Sequence, residues 1–258
     1  MRYLVNKALT LFNGGKEDRA LTDAELAADL AGEAGRLLLA RRESGALDGA
    51  AADRAANAFI LAGLAAWRPD DAILSEESFD DKKRLAFERV WIVDPLDGTR
   101  EYAEGRGDWA VHVALAVGGA PAVGAVAVPA LGRLYRSDRV EAVRAARERP
   151  LMLVSRTRAP ADAEAIAALL GAELVGMGSA GAKAMAVVAG EADLYYHAGG
   201  QHEWDNCAPA AVALGAGLHA SRLDGSPLAY NRADTLVPDL VIGRKDLAER
   251  VLEFCRQR

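Results

Sequence analysis

"WIVDPLDGTREY", residues 91–102, decides how this chain is read. Three apolar residues run into Asp94, Asp97 follows three positions later, and Gly98 and Thr99 come directly after it. The pattern is a buried strand that ends in a turn. Ionised carboxylates beside such a strand cost free energy unless something positive compensates them. Pro95 fixes its own φ and lacks an N–H, which stiffens the bend and lets the Leu96 carbonyl point to the side of both carboxylates. Two carboxylates and a carbonyl make an oxygen-only, hard site suited to Mg²⁺ rather than zinc. Gly98 permits a tight turn, Thr99 reads as the N-cap of a helix beginning at Arg100, and free N–H groups at a helix start bind phosphate.

Taken alone, "LDG" reads equally well as an ordinary Asp-Gly turn. Two further stretches weigh against that. "ILSEES" (73–78) ends another apolar strand in Glu76 and Glu77, and "QHEWDNCAPA" (201–210) puts Asp205 at the start of an apolar helix. Either fits a helix N-terminus, where acids favour the dipole. Three such clusters in one chain point to a site, because α/β chains place sites at these edges.

Around these stretches the chain alternates sheet and helix. Thr22 and Glu25 form a capping box, with Leu21 and Leu26 as its staple, for a helix over 23–42; a second helix is expected over 51–67. Short strands follow: "AIL", "RVWIV", and a pair around a "GGAP" turn. In "WAVHVAL" large and small residues alternate with the period of a half-buried strand. After Pro150 come the strand "LMLVS", a helix over 161–170, "AELVG", a helix over 180–190, "ADLYYH", the helix "NCAPAAVALGAG", "LHAS" and a final helix over 244–257. The expected fold is α/β in two units: residues 1–137, a helix-and-sheet unit with most of the acids, and residues 138–258, an α/β unit with Asp205.

Composition bounds the function classes. With 258 residues, 51% hydrophobic and 26% charged, the chain is an ordinary globular protein. A net charge of -6 argues against nucleic-acid or anionic-membrane binding. The longest apolar run, Val111 to Leu131, is broken by glycines and prolines, and "MRYLVNKALTLFNGG" does not read as a secretory signal. Two cysteines without CxxC spacing suit a reducing cytoplasm.

"SEES", "WIVDPLDGT" and "WDNCAPA" resemble, in order and spacing, the three signature segments of the inositol monophosphatase superfamily of lithium-sensitive, Mg²⁺-dependent phosphatases. The likeness spans nearly the whole chain. "GSAGAKAMAVVAGEADLYYHAGGQHEWDNCAPAAVA" and "GLHASRLDGSPLAYN" are similar to its branch that removes the 3′-phosphate of 3′-phosphoadenosine 5′-phosphate, which in bacteria serves sulfate assimilation.

The resemblance implies a layered α-β-α-β-α sandwich, two or three Mg²⁺ ions per site, a phosphorylated small-molecule substrate and, commonly, a homodimer. It implies Glu76, Asp94, the Leu96 carbonyl, Asp97 and Asp205 as metal ligands. Asp53 would pair with Thr99 to activate the attacking water, although it ends "AAAD" where many relatives have a threonine before the acid.

For the second phosphate or the ribose, Ser179 and Lys183 are candidates at a helix start. Arg156 is a candidate at a strand end, whereas Arg158 reads rather as solvated loop. His197 and His202 read as pocket-wall or rim residues rather than zinc ligands. His112 reads as a packed or hydrogen-bonded strand residue, as does His219, and Cys207 as a small buried one. An aspartyl-phosphatase of the haloacid dehalogenase type is set aside, because it needs acids two apart and here they are three apart. Inositol 1-phosphate or fructose 1,6-bisphosphate hydrolysis on the same acids stays open, and so does a non-catalytic metal- or nucleotide-binding regulator. Passive binding needs neither Asp53 nor Thr99.

Overall fold

A computed structural model of the chain describes residues 21–143 and 147–257; the reading of residues 1–15 lies outside them. Helix α1 (Asp23–Glu43) starts at the expected capping box, in which Thr22 and Glu25 each accept from the other's N–H. Helix α2 (Gly49–Trp67) begins two residues earlier than expected, because the Asp48 side chain accepts from Ala51 N at 3.1 Å.

The first sheet has the order β1-β2-β3-β4-β5: β1 (Ala72–Ser75), β2 (Arg89–Asp97), β3 (Ala110–Val117), β4 (Ala120–Val128) and β5 (Arg133–Arg136). β1 runs parallel to β2 and the other pairs are antiparallel. The short helix α3 (Thr99–Ala103) follows β2. The second sheet runs β7-β6-β8-β10-β9, built from β6 (Leu151–Ser155), β7 (Glu173–Met177), β8 (Leu194–His202), β9 (His219–Ser221) and β10 (Leu236–Gly243). Between these strands lie α4 (Ala163–Leu170), α5 (Ala180–Val188) and α6 (Glu203–Gly215), and α7 (Lys245–Arg256) ends the described chain.

These elements form the expected five layers. Trp91, Val93, Val111 and Val113 pack on α1 and α2 through Leu26, Leu30 and Ile60. The opposite face of that sheet, with Val90, Ile92 and Ala114, shares one core with α5, α6 and the second sheet's Leu153, Tyr195 and Ile242. The outer face of the second sheet packs on α4 and α7.

β3 departs from the sequence reading: it is buried on both faces, not half-buried. Its alternation sorts size instead, with large residues toward α1 and α2 and alanines toward α5 and α6. Small residues are needed there because α6 lies close. A Cβ on Gly124 of β4 would sit 2.6 Å from the Ala208 carbonyl oxygen.

β2 carries the decisive irregularity. Asp94 pairs with His112 and Asp97 with Ala110, so three steps on β2 match two on β3. That is a bulge, one extra residue on one strand. In a regular strand residues three apart face opposite sides; the extra residue returns Asp97 to the side of Asp94. The Pro-Leu spacer therefore puts both carboxylates on the face turned toward α5 and α6.

Candidate active site

Asp94, Asp97 and Asp205 each offer a carboxylate oxygen within 4.8 Å of the others. Asp94 is buried and uses Oδ1 to accept from Leu96 N at 3.0 Å. Burial, then Glu76, Asp97, Asp205 and Asp53, hold its carboxyl well above the ordinary range. Asp97 differs. Burial pushes it up, but His112, the Gly181 amide and Lys183 outweigh that and hold it below its ordinary value. Its Oδ1 accepts from Ala180 N at 3.2 Å and its Oδ2 from Gly181 N at 2.6 Å, while His112 Nε2 lies 3.2 Å from Oδ2. Asp205, in the first turn of α6, accepts from His202 N at 2.6 Å, and burial beside Asp97 raises it to about 6.

Glu76 follows β1 and is exposed as a residue, yet desolvation of its carboxyl, then Asp205 and Asp97, raise it to about 7. Asp53 is buried, with Oδ1 lacking a hydrogen-bond partner among the described residues. Burial, then Glu77 and Glu76, carry it to about 8, against a hydrogen bond with Thr99. Gly49 explains this proximity: a Cβ there would lie 2.6 Å from Thr99 Cγ2, so glycine lets the start of α2 close on Thr99, one turn before Asp53.

Thr99 is not the N-cap that the sequence suggested. Gly98 holds that position at φ +89°, a conformation open to glycine, and Thr99 Oγ1 donates to the Leu96 carbonyl at 3.1 Å. Ser179 caps α5 by accepting from Ala182 N, and a Cβ on Gly98 would sit 3.0 Å from Ser179 Cβ. Lys183 is buried, with Nζ donating to the Gly178 and Ser179 carbonyls and lying 5.0 Å from the Tyr195 ring centroid. Burial lowers it to about 8, against the pull of Asp97.

Arg156 and Arg158 differ in their charge partners. Arg156 is neutralised by Glu101 at 2.8 Å and Glu104 at 2.7 Å, whereas the exposed Arg158 guanidinium has no ion-pair partner among the described residues. Both line one cleft of about 550 Å³ with Asp97, Asp205, Lys183 and His197.

The donor set fits a hard cation: oxygens only, three of them mutually close, and a buried orphan carboxylate oxygen nearby. Neither His197 nor His202 joins Asp94, Asp97 and Asp205 in the cluster that could hold a metal ion among the described residues. His202 bonds Thr235 and stacks on Trp204, His197 bonds the Gly200 carbonyl, and Cys207 is buried in the core. His112 packs in its strand as expected, with Nδ1 on the Trp204 carbonyl. Its contact with Asp97 was missed; the alternating small positions of "WAVHVAL" carried the signal, because His112 falls on the same side as Ala110 and Ala114.

A five-layered sandwich with carboxylates gathered where the end of β2 meets the central helices defines the class, a metal-dependent phosphatase. Residues 21–257 match the model of the inositol monophosphatase family, and the chain belongs to that family. It is 53% identical over 256 residues to the 3′-phosphoadenosine 5′-phosphate phosphatase of Mycobacterium leprae (strain TN), covering 92% of this chain and 94% of that one. It is 34% identical over 200 residues to the 3′(2′),5′-bisphosphate nucleotidase CysQ of Escherichia coli (strain K12), covering 72% and 81%. The crystal structure of CysQ from Bacteroides thetaiotaomicron superposes with a TM-score of 0.73 at 28% identity, covering 86% of this chain and 97% of that one.

Proposed function

We propose that this protein is a Mg²⁺-dependent phosphomonoesterase that removes the 3′-phosphate of 3′-phosphoadenosine 5′-phosphate, giving AMP and phosphate. The observation that carries the reading is one cleft joining Asp97 and Asp205 to Lys183 and to Arg158, which has no ion-pair partner among the described residues, because a bisphosphate needs a second cationic end. The similarity to the M. leprae phosphatase supports the same substrate.

Glu76, Asp94, the Leu96 carbonyl, Asp97 and Asp205 would hold the cations. Bound there, Mg²⁺ supplies an acidified water and neutralises charge developing on the phosphoryl oxygens. The chain's own groups do the rest. Asp53, raised toward neutral pH, accepts a proton from the attacking water, and Thr99, bonded to the Leu96 carbonyl, orients it. The Gly98 and Thr99 amides face the phosphate being cleaved. Ser179, Lys183 and Arg156 line the wall that receives the nucleotide, with Arg156 positioned through its two glutamates. Water oxygen joins phosphorus, the 3′-oxygen leaves, and no phosphoenzyme forms.

A cytoplasmic place in sulfate assimilation, lithium sensitivity, a homodimer and the two-unit division at 137/138 belong to the same reading. Two observations are consistent with it: no helix among the described residues is long and apolar enough to cross a membrane, and one sheet falls on each side of the division.

Phosphate release from 3′-phosphoadenosine 5′-phosphate, inositol 1-phosphate and fructose 1,6-bisphosphate, with and without Mg²⁺, tests the proposal. It requires a clear kcat/KM preference for the nucleotide. Equal rates on all three would remove the substrate assignment and leave the metal chemistry.

A further inference from the structure

Glu203 and Arg84 are both buried, and neither belongs to the site just described. Glu203 opens α6 two residues before Asp205. Its two carboxylate oxygens accept from Asn231 N at 2.8 Å and Arg232 N at 2.7 Å. Asn231 stands at φ +57° and faces the connection between β1 and β2, the segment that starts with Glu76. Its Oδ1 accepts from Arg84 Nη1 at 2.8 Å, and its Nδ2 donates to the Arg84 and Phe87 carbonyls, each at 3.2 Å. Arg84 also donates to the Arg232 carbonyl at 2.8 Å and forks onto Asp80, and Lys82 Nζ reaches the Ala233 carbonyl at 2.8 Å.

Apart from a single 3₁₀ turn over Lys83–Ala86, this connection has no regular structure. Near Glu76 it is also held by the Glu76 amide, which donates to the Val93 carbonyl at 3.3 Å, and by Asn57, which bonds Ser75 and Ser78. The Glu76 segment follows β1 of the first sheet and the helix bearing Asp205 follows β8 of the second, and the Arg84–Asn231–Glu203 bonds join them through Asn231.

We infer that Arg84, Asn231 and Glu203 are positioning residues: a clamp that fixes the Glu76 segment against the first turn of α6 and so sets how tightly the carboxylates hold Mg²⁺. Arginine suits this because its rigid planar fork fixes the relative placement of three partners, Asp80, Asn231 and Arg232, which the freely rotating lysine ammonium does not. Glu203 suits it because a buried carboxylate orders two successive backbone N–H groups.

The inference rests on the Mg²⁺ reading above, and the test separates the two. Asn231→Gly is the informative variant, because glycine keeps the positive-φ backbone while deleting the bonds to Arg84 and Phe87. Melting temperature is followed as the metal-free protein is titrated with Mg²⁺, and phosphate release is titrated beside it. The clamp requires the Mg²⁺ midpoint of Asn231→Gly to rise five- to tenfold in both titrations, with kcat at saturating Mg²⁺ within twofold of the unaltered chain. Arg84→Met should move the midpoint in the same direction. Arg244→Met, which breaks an ion pair to Asp193 at the far end of β8, should lower the melting temperature without moving the midpoint. An unchanged midpoint in Asn231→Gly would overturn the clamp. No response to Mg²⁺ in the unaltered chain would overturn the metal reading and the clamp with it.

Discussion

Asp53 and Lys183 are where burial and charge act most directly on function. Asp53 is raised to about 8 because it is buried beside Glu77 and Glu76. Replacing it by asparagine keeps the shape and removes the base, so kcat should fall by about 10²–10⁴. The rise in melting temperature on adding Mg²⁺ should persist; loss of that rise would make Asp53 a ligand instead. Lys183 loses its proton near pH 8 because burial disfavours the charge. KM for the bisphosphate should therefore climb above pH 8, and Lys183→Ala should raise it more than KM for a simple monophosphate ester. Equal effects on both substrates would remove the lysine from the second-phosphate end.

At the scale of elements, the bulge in β2 and the close approach of the central helices shape the site. A Cβ on Gly181 would overlap the His112 ring, and that glycine's amide is bound to Asp97. Gly181→Ala should therefore cost about 1–3 kcal/mol by overpacking and also weaken Mg²⁺ binding, measurable by denaturant unfolding and by titration. Gly124→Ala, against Ala208 on the side of β4 facing α6, should cost a similar amount while leaving the Mg²⁺ midpoint in place.

How far the sequence spoke also divides by element. Helix α1 was legible because its capping box is local chemistry. β10 was not read as a strand: Pro238 interrupts it, and the register shift between Val237 and Asp239 absorbs the proline, a long-range accommodation with no local mark. β5, four residues with arginine at each end, carries no alternation long enough to read. The pairing of Arg156 with Glu101 and Glu104 was not legible, because nothing in "SRTR" announces acids that lie 55 and 52 residues earlier. The carboxylate group was legible for the opposite reason, since its acids sit at the edges of apolar runs: Glu76 and Asp94 where one stops, Asp205 where one begins.

For the whole molecule, four acids of the site hold their protons too long without a cation: Asp94 well above the ordinary range, Asp205 to about 6, Glu76 to about 7 and Asp53 to about 8. Ordinary carboxyls lose theirs near pH 4. Between those limits these acids bind more protons in the folded chain than in the unfolded one, so their contribution to stability falls as pH rises. A cation that binds only the folded carboxylates reverses this by RT ln(1 + [L]/Kd). The most direct measurement is the melting temperature of the protein in chelator and in millimolar Mg²⁺, from pH 5 to pH 8. The account predicts a metal-free melting temperature that drops across this range, and a Mg²⁺-induced rise that is small at pH 5 and largest at pH 8. A metal-free melting temperature that climbs with pH, or no rise on adding Mg²⁺ at pH 8, would contradict the claim that the carboxylates at the end of β2 exist to hold a cation.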